Sequence, residues 1–180
     1  MKATGIVRRI DDLGRIVIPK EIRRTLRIRE GDPLEIFTDR EGKVILKKYS
    51  PIGELGSLAG IYADSLSKTL GCTVCITDTD QVIAAAGNGK KELQEMLLSA
   101  ELAKVFQERK TVLKKSSDTD FVAITKDRSE YREEIISVIL NEGDIAGGVI
   151  FLQKNEKKHF GEMEKKLASG VADLLGRQLS

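Results

Sequence analysis

Residues 13–24 read Leu-Gly-Arg-Ile-Val-Ile-Pro-Lys-Glu-Ile-Arg-Arg, and this stretch decides the fold of the N-terminal part of the chain. Asp11–Gly14 has the composition of a turn, and the apolar residues on either side of it predict strands at Thr4–Ile10 and Arg15–Ile18. Pro19 can occupy the first position of a helix without losing a hydrogen bond. We therefore expect two strands joined by a turn, with a helix directly after the second strand.

The helix predicted over Lys20–Arg27 has two chemically different faces. At about 100° per residue, its basic residues fall on one side of the helix. These are Lys20, Arg23, Arg24 and Arg27. Ile22 and Leu26 fall on the opposite side. The helix would therefore bury two aliphatic side chains and present four cations to solvent.

Positive charge is concentrated at this end of the chain. Residues 1–50 carry 13 Lys and Arg against 8 Asp and Glu, a net charge of +5, whereas residues 51–180 carry 17 against 20, a net charge of −3. Arginine suits bidentate contacts with phosphate and guanine. A solvated helix face paired with Glu21 and Glu30 would also account for the charge. Spacing and charge together favour nucleic-acid binding, and the scarcity of aromatic residues argues against a single-strand stacking surface.

A second hairpin follows the helix. Leu34–Thr38 and Val44–Lys48 alternate apolar and polar residues around the turn Asp39–Gly42, which predicts two paired strands. A unit of about 50 residues buries little core by itself, and this one has no disulfide or metal motif to stabilise it. We therefore expect an obligate dimer whose strands share one core. A core that continues into the following domain is the alternative.

The sequence changes character at Pro51, which divides it into domains at residues 1–51 and 52–180. The second part predicts an antiparallel sheet with terminal helices, in an α+β arrangement. Helices are expected at Ile52–Leu70, Lys91–Glu108 and Glu156–Leu179, and strands at Thr73–Thr77, Gln81–Ala86, Phe121–Thr125, Glu134–Leu140 and Ile145–Gln153. Apolar residues along the first and last helices could form the domain core or pair dimers into a tetramer.

The remaining reactive residues form no enzyme constellation. Cys72 and Cys75 lack the second pair that a zinc site requires, so packing cysteines are expected. His159 is expected as an exposed residue of the last helix, and Gly87–Lys90 as a turn. Glu133 and its neighbour Glu134 should point apart. We expect no catalytic site, metal or cofactor.

The chain is expected to act in the cytoplasm. Its first residues lack the apolar stretch of a signal peptide. The longest apolar runs, such as Ile145–Leu152, are too short to span a bilayer. No membrane partner is therefore expected.

Residues 2–26 closely resemble the AbrB family of swapped-hairpin transition-state regulators, and Leu-Gly-Arg-Ile-Val-Ile-Pro is the most specific part of the match. The resemblance implies an interleaved dimeric β-barrel. It also implies a set of arginines that contact DNA. These are Arg8, Arg15, Arg23 and Arg24, with Arg9 at a position that is basic in the family. In members with a second part like this one, that part is a GAF domain, a sensor fold.

The first hypothesis is therefore a sequence-selective regulator that binds double-stranded DNA as a homodimer or homotetramer associated with the nucleoid. A role in sporulation is implied by the resemblance alone. An unidentified small molecule in the GAF-like domain would be compatible with it, and a ligand sensor without a direct role in transcription is an alternative. An antitoxin-like protein-binding module is another, but such a role usually requires a disordered acidic tail rather than a second foldable domain.

Overall fold

The computed structural model describes residues 6–126 and 130–179. The chain divides into two compact units, Met1–Tyr49 and Ser50–Ser180. Thr4 and Gly5, the first residues of a predicted strand, lie outside the described residues.

The described residues of the N-terminal unit, 6–49, contain one short helix and one paired-strand hairpin. The helix is α1 (Lys20–Thr25), and the hairpin strands are β1 (Leu34–Thr38) and β2 (Val44–Lys48). The strands pair antiparallel, with Ile36 opposite Leu46. Both strands have the bounds that the sequence predicted, because the alternation of apolar residues and the intervening turn are local signals.

The other two predicted strands do not form within the part of the chain that the structure describes. Residues 6–10 and 15–18 flank the turn without joining a strand ladder. The turn is closed by bonds from the Asp11 amide to the Arg15 carbonyl and from the Gly14 amide to the Asp11 carbonyl, each 3.0 Å. A strand is stabilised by a neighbouring strand, and this segment has none among the described residues of its own chain.

Helix α1 also ends earlier than predicted. Arg27 adopts a left-handed conformation with φ 55°. The Ile28 amide donates to the Arg23 carbonyl at 2.8 Å and the Arg27 amide to that of Arg24 at 3.4 Å. These two bonds form a Schellman C-cap, which terminates the helix. Arg27 therefore leaves the cationic face to which the sequence assigned it.

The C-terminal unit is built on a five-stranded antiparallel sheet with strand order β4-β3-β7-β6-β5. Its strands are β3 (Thr73–Thr77), β4 (Val82–Ala86), β5 (Val112–Lys115), β6 (Glu133–Asn141) and β7 (Asp144–Gln153). Its helices are α2 (Pro51–Glu54), α3 (Gly56–Leu70), α4 (Lys90–Leu93), α5 (Ala100–Gln107) and α6 (Glu162–Gln178).

Two apolar layers cover the two faces of this sheet. On one face, α3 and α6 pack through small residues such as Ala63 and Ala168 against Phe151. On the other face, Leu102 and Phe106 of α5 pack against the sheet. The sheet therefore has a helical layer on each side, and the described core of the chain lies in this unit.

The predicted helix Lys91–Glu108 is interrupted. Between α4 and α5 the chain runs beside β4, with the Val82 amide donating to the Met96 carbonyl at 2.9 Å. The Gln94 side chain accepts from the Ala85 amide at 3.0 Å and donates to the Ile83 carbonyl at 2.9 Å. This segment covers the outer edge of the sheet, which periodicity along the sequence does not reveal.

Other element bounds also differ from the predictions. The first predicted helix is divided into α2 and α3, and the last begins at Glu162. Phe121–Thr125 is not a strand and contributes only an isolated bridge between Leu98 and Thr125. The edge strand β5 was missed because its sequence, Val-Leu-Lys-Lys, is too short to show alternation.

Candidate nucleic-acid interface

The structure places all five predicted DNA-contacting arginines on the surface of the N-terminal unit. Arg8 and Arg9 precede the turn at Asp11, and Arg15 follows it. Arg23 and Arg24 lie in the last turn of α1. A positive charge there also interacts favourably with the carbonyl end of the helix. Within the described ranges, the side chains of Arg23 and Arg24 form no hydrogen bond or ion pair.

The turn that carries Arg15 is organised by Asp11. One carboxylate oxygen, Oδ1, accepts from the Leu13 amide at 3.0 Å and from the Arg15 amide at 2.8 Å. The other oxygen, Oδ2, accepts from Arg15 Nε at 2.8 Å. Hydrogen bonds from the backbone and then the side chain of Arg15 lower the pKa of the Asp11 carboxyl. Sequence reasoning counted Asp11 only as a turn residue and missed this contact.

The same unit exposes most of its apolar side chains. No large apolar residue among residues 6–49 is buried, and twelve are exposed. These are Ile6, Val7, Ile10, Leu13, Ile16, Val17, Leu26, Ile36, Phe37, Val44, Ile45 and Leu46. Full burial of each such side chain would be favourable by roughly 1.5–3 kcal/mol of free energy. An exposed surface of this kind marks an interaction site.

An open groove of about 510 Å³ runs along this apolar surface. Its lining includes Leu26 and Ile28 at the end of α1, and Phe37, Ile45 and Leu46 of the hairpin. Leu26, which the helical wheel assigned to the buried side, is 56% exposed. The apolar side of α1 therefore faces this groove rather than a core within its own unit.

The cysteines of the C-terminal unit are packing residues. Both are buried and free. Cys72 belongs to the layer with α3 and α6, and Cys75 to the layer with α5, so they lie on opposite faces of the sheet. Burial raises the pKa of the Cys72 thiol to about 11 and that of Cys75 to about 12. Neither is a reactive thiolate at neutral pH.

His159 is exposed, as predicted, but it precedes α6 rather than lying in the helix. Its Nδ1 lies 2.8 Å from Glu133 Oε1. The Phe160 amide donates to Glu133 Oε2 at 2.7 Å. The segment before α6 is therefore attached to Glu133, the first residue of β6, whose carboxylate is buried.

The adjacent Glu134 points to the opposite face of the sheet, as predicted for this pair. It is fully buried, and its Oε1 accepts from the Val122 amide at 3.1 Å. Oε2 has no hydrogen-bond partner among the described residues. Burial raises the pKa of this carboxyl to about 7, although nearby Lys114 opposes the shift. Sequence reasoning did not identify this buried acid.

The raised pKa of Glu134 predicts a pH-dependent stability. The folded chain binds this proton more tightly than the unfolded chain, so its stability should fall by roughly 3 kcal/mol as pH rises from about 4.5 to 7. Glu134→Gln should flatten this part of the curve and raise the melting temperature at pH 8. Thermal unfolding between pH 5 and 8 measures both effects. Glu101→Gln, at an exposed position, is the control; an unchanged slope in Glu134→Gln would contradict the assignment.

Among the residues that the structure describes, no helix has both the length and the apolar character needed to cross a membrane.

Comparison with known proteins connects both units to characterised families. Residues 54–180 match the family described as stage V sporulation protein T C-terminal, transcription factor. Residues 7–54 match the family described as antidote-toxin recognition MazE, bacterial antitoxin.

Relatives extend these matches. The chain is 50% identical over 183 residues to stage V sporulation protein T of Bacillus subtilis (strain 168), covering 99% of each chain. It is 67% identical over 51 residues to the transition state regulatory protein AbrB of the same organism, covering 28% of this chain and 52% of AbrB. The N-terminal unit is thus of the AbrB type.

Solved structures show the fold of the C-terminal unit. Type II free methionine-R-sulfoxide reductase from Thermoplasma acidophilum aligns with a TM-score of 0.57 at 14% identity, over 71% of this chain and 94% of that one. The PixJ GAF domain of Thermosynechococcus elongatus aligns with a TM-score of 0.56 at 14% identity, over 73% and 88%. The predicted arrangement of an AbrB-like domain followed by a GAF-like domain is confirmed. The chain belongs to the stage V sporulation protein T family of transcription factors.

Proposed function

We propose that the chain is a sequence-selective regulator of sporulation genes that binds double-stranded DNA. Residues 1–51 would be the DNA-binding domain and residues 52–180 the regulatory domain. The contact would be made by Arg8, Arg9, Arg15, Arg23 and Arg24. The observation that carries the proposal is that all five are exposed around one turn and one helix of a unit with net charge +5. Such a surface is suited to phosphates and to base edges in the major groove.

The DNA-binding form is proposed to be a homodimer. In a single copy, residues 6–49 leave twelve large apolar side chains exposed and offer an open groove beside them. Residues 6–10 and 15–18 also lack a strand partner within the described part of their own chain. A second copy would supply both the missing strands and the missing core. It would also double the number of arginines presented to DNA.

Two dimers are proposed to associate through their C-terminal units. Of the apolar stripe predicted along the last helix, Phe160 and Leu175 are buried, whereas Met163, Leu167 and Leu174 are 79%, 36% and 43% exposed. The buried face of α6 is instead formed largely by small residues, including Ala168. One apolar side of α6 therefore packs in the core of its own unit, and the second would pack against a helix of another dimer.

The C-terminal unit is also proposed to bind a small molecule that adjusts DNA binding. Glu134 supports this proposal, because a buried carboxylate oxygen without a partner is rare in proteins and calls for an explanation. A hydrogen-bond donor on a ligand would satisfy Oε2. Native mass spectrometry of protein purified from its host tests this. A retained small mass that Glu134→Gln releases supports the proposal, and an unliganded chain in both proteins contradicts it.

The proposed role is regulation in the cytoplasm, at the nucleoid, without catalysis. The antitoxin alternative has the match over residues 7–54 in its favour. However, the chain continues into a compact folded unit rather than an acidic tail. The match over 99% of a sporulation protein supports the regulatory role for the whole chain.

Genome-wide footprinting of bound DNA tests this function. Cells that produce the chain should show discrete protected duplex sites near sporulation genes, and a strain that lacks the chain provides the background. If the strain that lacks the chain showed the same protected sites, the proposal would be contradicted. The recovered sites would also supply duplexes for measuring DNA affinity.

A further inference from the structure

Arg15 differs from the other proposed DNA-contacting arginines because its guanidinium is held within its own turn. Arg15 Nε donates to Asp11 Oδ2 at 2.8 Å. Arg23 and Arg24, by contrast, are without such a partner in the part of the chain that the structure describes. Asp11 is itself fixed, since its other oxygen accepts two backbone amides at 3.0 and 2.8 Å. The guanidinium is thus attached to a rigid turn rather than to a mobile carboxylate.

The attachment point leaves the tip of the guanidinium available. Guanidinium is planar and has five N–H donors, of which Nε contributes one. With Nε bonded to Asp11, the Nη1 and Nη2 groups keep a forked set of donors on a side chain that is 69% exposed. This fork matches the O6 and N7 acceptors of guanine in the major groove.

The adjacent carboxylate also discriminates between DNA targets. It offsets much of the positive charge of Arg15, which weakens attraction to a phosphate. The edge of guanine presents neutral acceptors, so the carboxylate repels it far less. A fixed orientation also reduces the conformational freedom lost when Arg15 binds. Both effects favour a base contact over a phosphate contact.

We propose that Asp11 is a positioning residue that directs Arg15 to a guanine edge, so that Arg15 contributes sequence specificity. This inference rests on the proposed function, in which Arg15 contacts DNA. The same turn also forms without a guanidinium. Asp39 builds it in the β1–β2 hairpin, where its Oδ1 accepts from the Glu41 and Lys43 amides at 2.9 Å each. Its Oδ2 lies 3.4 Å from Lys43 Nζ, so the carboxylate faces a point charge there. Lys43 has no fork to orient.

The hairpin turn provides a matched control. Asp11→Asn and Asp39→Asn make the same change in charge and keep an oxygen that can accept the backbone amides. Both are compared with wild type and Arg15→Ala on three duplexes at one salt concentration. These are a footprinted site, the same site with 7-deazaguanine, which lacks the N7 acceptor, and an unrelated sequence.

Wild type should bind the footprinted site about tenfold more tightly than its 7-deazaguanine form. Arg15→Ala should lose this difference, and Asp11→Asn should retain only a small part of it while binding the unrelated duplex at least as well as wild type. Asp39→Asn should behave as wild type does. If Asp11→Asn lost affinity for all three duplexes by the same factor, the positioning role would be overturned. Asp11 would then be a structural turn residue. Unchanged binding by Arg15→Ala would instead remove Arg15 from the proposed interface.

Discussion

Leu46→Asp is expected to abolish DNA binding and to unfold the N-terminal unit. Leu46 is 39% exposed in one chain and lines the open groove. In the proposed dimer it becomes part of a shared core, where an unpaired carboxylate is strongly unfavourable. The C-terminal unit has its own core and should remain folded.

Amide hydrogen exchange locates this effect along the chain. In Leu46→Asp, peptides from residues 6–49 should exchange almost as fast as an unfolded chain, while peptides from β3, β6 and β7 stay protected. Leu97→Asp is the control, because Leu97 has a similar exposure of 46% but lies in the C-terminal unit. Normal DNA binding and protection in Leu46→Asp would show that the N-terminal unit does not depend on a second copy.

Arg23→Ala and Arg24→Ala are each expected to weaken DNA binding by about tenfold or more. A lost arginine contact is worth about 1–3 kcal/mol, and a dimer would lose it twice. Both side chains are exposed and lack partners among the described residues, so stability should change by less than about 0.5 kcal/mol. Titration of a footprinted duplex together with thermal unfolding separates affinity from stability.

Arg40→Ala provides the comparison for these two variants. Arg40 is an exposed arginine in the hairpin turn of the same unit and is outside the proposed interface. Its loss removes the same charge, so a small effect is expected from long-range electrostatics alone. Equal losses in Arg40→Ala and Arg23→Ala would indicate attraction to overall charge rather than specific contacts.

Local patterns in the sequence predicted much of this fold. The β1–β2 hairpin and strand β3 have their expected bounds because each lies between clear turn residues. The segment between α4 and α5 was wrongly predicted as helix because its role depends on covering the edge of β4. That contact joins residues from separate elements, so no single window of sequence contains it. Neither of the segments that flank Asp11 has a ladder partner within residues 6–126 and 130–179.

Some features of the candidate site could likewise be predicted from local sequence, and others could not. Exposure of the arginines follows from their polarity and from the short helix, and the sequence predicted it. Arg27 leaves the cationic face of α1 because of the C-cap geometry at the end of the helix. The proposed positioning role of Asp11 depends on its hydrogen bond with Arg15, four residues later. Glu134 is buried where the Val122 amide donates to its Oε1, and a contact between such separate segments is a tertiary feature.

The salt dependence of duplex binding tests the central claim most directly. Each phosphate contact should reduce log affinity by about 0.9 for every unit of log salt. A surface with five arginines in each chain of a dimer predicts a steep linear slope for wild type. Arg23→Ala, which alters both chains, should make it shallower by about two if Arg23 binds phosphate. A nearly flat wild-type slope on a footprinted duplex would contradict DNA binding through this arginine surface.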